Sequence, residues 1–167
     1  PLTNAEKIFL TKARAEVPGS VVSSILQGTR PLLVEIQSLV VPTKMAFPKR
    51  VAQGVDARRL EMLLAVLIRR CGLPLYEYDV FVNVAGGIKV VEPAADLAIV
   101  LSIASSFFDK PVAKNVMALG EVGLLGEVRE VVAEEKRVKE AKRLGFTRPV
   151  TQKEIKYVNE VVKKLLR

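Results

Sequence analysis

The chain has 167 residues, half of them apolar and about a quarter charged, with 26 Lys or Arg against 18 Asp or Glu and a net charge of +8. That is enough chain for one domain with its own core, and too much Val, Ile and Leu for a disordered state. One cysteine excludes a disulfide framework and a multi-cysteine zinc site, zero histidines exclude Ser-His and Cys-His catalysis, and the lack of Trp argues against a base-stacking platform.

No uncharged apolar run approaches the roughly 18 residues of a membrane helix. The chain opens on Pro1 with no basic and apolar leader pattern, so we expect a piece of a longer cytoplasmic protein with no membrane partner. Positions 1–19 read as a lead-in, with Ile8-Phe9-Leu10 as a short apolar anchor and Pro18-Gly19 as a breaker. From Ser20 onward the chain reads as one domain, 20–167. Val21, Val22, Ile25 and Leu26 make a β-rich run, Gln27 to Arg30 a turn, and Leu32 to Val41 a second run, which together predict a hairpin. A polar loop carries Lys44, Lys49 and Arg50, and a short extended piece is expected around Val51.

Asp56 is a good helix N-cap, and Leu60, Leu63, Leu64, Leu67, Ile68 and Cys71 form one apolar stripe that Gly72 and Pro74 terminate. Val80 to Val84 reads as a buried strand ending at Gly86-Gly87. Glu92-Pro93 opens a second helix, Ala94 to about Phe107, apolar nearly all round and therefore central. Ala94, Ala98 and Ser102 give it a line of small residues, and Asp96 suits the positive end of its dipole. Val116 to Val122 and Leu124 to Val132 read as strands, Glu134 to Leu144 as a polar helix closed by Gly145, Thr147 to Val150 as extended, and Gln152 to Leu166 as a last helix. The order predicts an α/β domain with a mixed sheet and packed helices.

Few constellations carry chemistry. There is no G-x-x-x-x-G-K-[ST], hence no Walker A site. Gly120, Gly123 and Gly126 fit hairpin turns better than a phosphate loop. Cys71 sits on an apolar stripe and reads as a buried structural thiol. Ser102, Ser105 and Ser106 read as core or capping residues. Glu134 and Glu135 are followed by Lys136, Lys139 and Lys142, which a solvated helix face with i,i+4 pairs explains. Residues 133–167 hold eleven Lys or Arg against five Glu, most of the net +8. That surplus is either ordinary solubility charge or a face that tracks phosphates.

Several long motifs point to a family. Pro18-Gly19-Ser20-Val21-Val22, Gly28 to Gln37 (GTRPLLVEIQ), Asp79 to Gly87 (DVFVNVAGG), Glu92 to Ala98 (EPAADLA) and Gly120 to Arg129 (GEVGLLGEVR) resemble the C-terminal domain of the bacterial RadA (Sms) DNA repair family. The match runs from about Ser20 to Phe146, and Asn4 to Leu10 (NAEKIFL) resembles the lead-out of that family's ATPase core. The resemblance implies a fold similar to the Lon proteolytic domain. Lon domains use a serine in Gly-Pro-Ser-Ala-Gly and a lysine on a later helix. Here Ala94 stands at the serine position, and an ungapped count from Gly120-Glu121 places Glu135 at the lysine position, with Lys136 there after a one-residue slip. A methyl group cannot attack a carbonyl, so the resemblance implies a lost Ser-Lys dyad and no peptidase activity.

The resemblance further implies a parent chain with a zinc-finger region and a RecA-like ATPase, hexameric rings, DNA binding and ATP-driven branch migration. The zinc cysteines, the Walker A motif and the family's Lys-Asn-Arg-Phe-Gly are absent from these 167 residues. No cofactor is therefore expected in this segment, whereas the parent is implied to use ATP, Mg and Zn. Expected partners are DNA and further copies of the chain. Lys49, Arg50, Arg58, Arg59, Lys110 and Lys114 are the candidate phosphate contacts. The rival expectations are a pure oligomerisation scaffold and a peptidase with a displaced dyad.

Overall fold

The computed structural model describes residues 16–166; the expected lead-in anchor at Ile8 to Leu10 lies outside the described residues. The first hairpin is β1 (Ser20–Gln27) and β2 (Arg30–Pro42), joined by a two-residue turn in which Gly28 takes a φ of 64°. β3 (Arg50–Gln53) confirms the extended piece around Val51. Then come α1 (Ala57–Cys71), β4 (Tyr78–Val84), α2 (Asp96–Phe108), β5 (Val116–Ala118), β6 (Glu121–Val122), β7 (Val128–Arg129), α3 (Glu134–Arg143), β8 (Arg148–Val150) and α4 (Val161–Leu165). No described helix is long and apolar enough to cross a membrane.

Six strands form one sheet in the order β3-β4-β2-β1-β5-β8. β2 runs antiparallel to both β1 and β4, while β3–β4, β1–β5 and β5–β8 pair in parallel, so the sheet is mixed as expected. Alternation along the strands divides its two faces. Val21, Ile25, Val34, Ile36, Val80 and Val82 meet α1 and α2 in the main core. Val22, Leu33 and Met117 point the other way, into a smaller cluster closed by Ala141 of α3 and by Phe146. Farther along that second face, Leu39, Phe81 and Val51 stand opposite one another across β2, β4 and β3. Among the described residues this row has no covering helix, and Leu39 and Val51 are exposed.

α1 forms where its stripe and caps place it. Asp56 Oδ2 accepts the Arg59 N–H at 3.0 Å, and Gly72 closes the helix at a φ of 71°. Its stripe buries Leu60, Leu63, Leu64 and Leu67. Cys71 is half-buried, and burial pushes its thiol up to about 11, which fits the structural reading. α2 is buried from Asp96 through Ser105 and lies across β1 and β2 as the central helix. Serines stitch it there: Ser38 and Ser102 hydroxyls are 2.6 Å apart, Ser106 Oγ accepts Val40 N at 3.0 Å, and Ser105 Oγ accepts Gly19 N at 2.9 Å.

Three expectations need correction. The run from Val116 to Val122 is broken at Leu119-Gly120, because Gly120 exchanges backbone bonds with the start of α2: its N–H reaches Ala94 O at 2.9 Å and its carbonyl accepts Leu97 N at 3.0 Å. Of Leu124 to Val132, only Val128–Arg129 is strand; Gly123 to Gly126 form the tip of the β6–β7 hairpin, the turn role expected for those glycines. The last helix is confined to Val161–Leu165. Glu160 Oε1 accepts both Lys156 N and Tyr157 N at 2.8 Å and so starts the helix late. Ile155 and Val158 reach the core from a turn and a short 3-10 segment instead.

Candidate functional site

The segment entering α2 carries the position of interest. Pro93–Ala95 form a single 3-10 turn that delivers Ala94 to the smaller cluster, 3% exposed, among Val22, Leu33, Met117 and Leu119. Gly120 N–H holds the Ala94 carbonyl at 2.9 Å, and this glycine also lies close against β7, where a Cβ on it would stand 2.6 Å from Val128 Cγ1. Ala94 therefore presents a methyl group to an apolar interior. Glu135 is exposed in the first turn of α3 and lines a groove against β8 to which Ala94 does not contribute. The neighbouring Lys136 reaches across to the β1–β2 turn, where Nζ donates to Thr29 O at 2.6 Å.

Beside Ala94 lies a cleft of about 600 Å3 bordered by Val55, Val90, Pro93 and Ile99, with Arg59 paired to Asp96 within it. Asp96 also accepts Val122 N at 3.0 Å, and Arg59 donates to Val122 O at 3.1 Å, so the pair ties α1, α2 and β6 together. Burial pushes the Asp96 carboxyl above the ordinary aspartate value, and the hydrogen bond from Arg59 pulls it back. The same bond raises the Arg59 guanidinium. Asp96 thus serves an ion pair, a larger role than the expected dipole contact.

A second buried pair was not visible in the sequence. Arg137 is 2% exposed and paired with Glu92, and it donates to Ser24 O at 3.0 Å and Val132 O at 2.9 Å. Only its spacing from Val138 and Ala141 on a polar helix could have hinted that one cation turned inward. The expected Glu135–Lys139 pair does not form.

The six candidate phosphate contacts separate into two groups. Arg50 is turned into the fold, donating to Leu75 O at 2.9 Å and to Tyr78 O, and Arg59 is held by Asp96. Lys49, Arg58, Lys110 and Lys114 are exposed, on the β2–β3 loop, the first turn of α1 and the α2–β5 loop. The structure does not gather the six into one patch. Among the described residues no group of three His, Cys, Asp or Glu is placed to hold a metal ion.

Known proteins supply the relationship. No family model matches the chain. DNA repair protein RadA of Pseudomonas aeruginosa is 49% identical over 149 residues, covering 89% of this chain and 33% of that protein. DNA repair protein RadA of Bacillus subtilis is 51% identical over 147 residues, and that of Escherichia coli 48% over 149, each covering about a third of the relative. The chain is a RadA homologue. It spans about a third of the length of the relatives it matches, consistent with a C-terminal segment of RadA. In this RadA homologue the quoted motifs fall at structural joints: GTRP in the β1–β2 turn, EPAAD at the entry to α2, and GEVGLLGEVR around the β6–β7 hairpin.

Proposed function

We propose that this segment is the non-proteolytic, Lon-like domain of a RadA-type DNA repair protein. It contributes hexameric ring assembly and duplex DNA contact to a cytoplasmic, ATP-driven branch-migration motor. The observation that carries the loss of peptidase chemistry is Ala94, a buried methyl group where the resemblance expects a nucleophile. ATP, Mg and Zn would be held by parts of the parent outside these residues, since this chain has no Walker A motif, one cysteine and no histidine. The DNA reading is supported by the RadA relatives and by the net charge of +8. Lys49, Arg58, Lys110 and Lys114 remain the proposed phosphate contacts, while Arg50 and Arg59 hold the fold.

A pure assembly scaffold is the second reading. The row of Leu39, Phe81 and Val51, which no described helix covers, favours it, as does Phe47, 90% exposed on the adjoining loop. Duplex binding across a salt series, with particle mass measured by light scattering, separates the two. Binding that weakens steeply with salt in a hexamer-sized particle is the expected result. Hexamers that bind no duplex at low salt would leave the scaffold. Lys49→Glu/Arg58→Glu should lower affinity and flatten the salt slope; unchanged values would remove those two residues from the interface.

A further inference from the structure

We propose that the groove between α3 and the β8 edge is a phosphodiester-binding site, a further face through which this segment grips a nucleic-acid backbone. The proposal rests on the DNA-contact reading above and locates it on residues that reading does not use. The groove encloses about 440 Å3, with Lys139 and Lys142 on its helical wall and Lys153 on the opposite wall, just after β8. Lys139 and Lys142 are three positions apart on α3 and so share one helix face.

What marks these three lysines is that their charge is unspent and that they line one groove. Five of the ten described cations in residues 133–167 are occupied inside the molecule. Arg137 is paired with Glu92, Arg143 with Glu140, Arg148 with Glu154 and Lys164 with Glu160, and Lys136 is bonded to Thr29 O. Among the described residues, the ammonium groups of Lys139, Lys142 and Lys153 have no ion pair or hydrogen-bond acceptor, and all three are exposed. Three carboxylates share the groove, and two are engaged. Glu134 is buried and accepts Gln152 Nε2 at 3.2 Å and Val131 N at 3.4 Å, and Glu154 takes Arg148 at 2.8 Å. Glu134 keeps its charge but is buried, and Glu135 is exposed and unpaired, so the unpaired exposed groups of the groove are three cations and one anion.

Like charges on two walls of one groove repel, and a polyanion lying between them removes that repulsion. Lysine suits this task as a compact point charge that tolerates varied phosphate geometry. The groove offers no aromatic side chain, so it can follow a backbone but has nothing on which to stack a base.

The test is fluorescence anisotropy of a labelled duplex oligonucleotide with the whole 167-residue chain across a salt series. It compares wild type, Lys139→Gln/Lys142→Gln/Lys153→Gln, and the control Lys156→Gln/Lys163→Gln, whose lysines are also exposed and unpaired but lie outside the groove. Circular dichroism confirms that each variant is folded. The groove variant should lose about 2 to 3 from the magnitude of the slope of log K against log salt, close to one unit per lost phosphate contact. The control should keep the wild-type slope. Wild-type binding with an unchanged slope in the groove variant would overturn the groove while leaving DNA contact standing. No duplex binding by wild type would overturn both. Polyglutamate binding that the groove variant loses, with duplex binding intact, would assign the groove to an acidic protein segment and overturn the proposal.

Discussion

At the scale of single residues, the most consequential contact is one charge meeting another in a dry place. Asp96 is 1% exposed at the start of the central helix, and among the described residues its cationic partner is Arg59. Removing one member of such a pair leaves an uncompensated charge, which costs about 3 kcal/mol. Arg59→Met should therefore lower the unfolding free energy from urea titration by that order. The pH dependence identifies the cause. Burial already raises the Asp96 pKa above its ordinary value of 3.8, and losing Arg59 raises it further. A carboxyl with a raised folded pKa binds its proton more tightly in the native state, so its penalty is complete above that pKa and fades as pH falls toward 3.8. Glu127 and Glu160 have the opposite sign: Arg129 holds the first below 4.5, the Tyr157 N–H the second, and their contributions fade on acidification. Those two are common to both proteins and cancel in the difference. Urea titrations at several pH values should show the deficit of the variant shrinking as the solution is acidified. A deficit independent of pH would mean that Arg59 acts through packing alone.

At the scale of elements, α2 lies against β2 through hydroxyl groups as well as methyls. Ser38 and Ser102, both buried, share a hydrogen bond at 2.6 Å, and Ser102 also donates to Ile99 O at 2.8 Å. Ser102→Ala should destabilise by about 1 to 2 kcal/mol, because it strands the Ser38 hydroxyl in the interior. Ser38→Ala/Ser102→Ala should cost less than the sum of the single changes, with a coupling of about 1 kcal/mol. Strict additivity in a thermal or urea double-mutant cycle would show that the two hydroxyls do not act together. The elements differ in how plainly the sequence announces them. α1 has a cap, a stripe and a stop that agree, and the structure follows all three. The segment after Gln152 has Ile155, Val158, Val162 and Leu165 at helical spacing, yet only Val161–Leu165 is helix. Apolar spacing records which side chains reach the core, and an irregular segment can deliver them as well as a helix can. The break at Gly120 is likewise invisible locally, because its partners Ala94 and Leu97 come from another element.

At the scale of the whole molecule, the sheet order and the two faces were not legible, since pairing between distant strands is decided by packing that no short window contains. The same holds for charge: a count of Lys and Arg foretells a basic protein, but not that Arg50, Arg59 and Arg137 turn inward while Lys139, Lys142 and Lys153 remain unpaired. The surroundings of Ala94 bear on whether one atom could turn this molecule into a peptidase. Acyl transfer needs a nucleophile, a base within hydrogen-bond reach, and room for the substrate at both. These requirements lie in separate places here. Ala94 sits inside the apolar cluster of Val22, Leu33 and Met117. Glu135 lines the α3–β8 groove, and the nearest ammonium in sequence, that of Lys136, is occupied by Thr29 O. The cleft beside Ala94 is lined by Pro93 and Asp96, with Ala94 itself beneath the surface. Ala94→Ser would bury a hydroxyl among methyl groups at a cost of about 1 to 3 kcal/mol and supply one requirement of three. The expected outcome is a lowered melting temperature and no casein hydrolysis. Turnover by purified Ala94→Ser, absent from an identically prepared wild type, would mean that a base and a substrate path already converge on this position, and the non-proteolytic reading would fall.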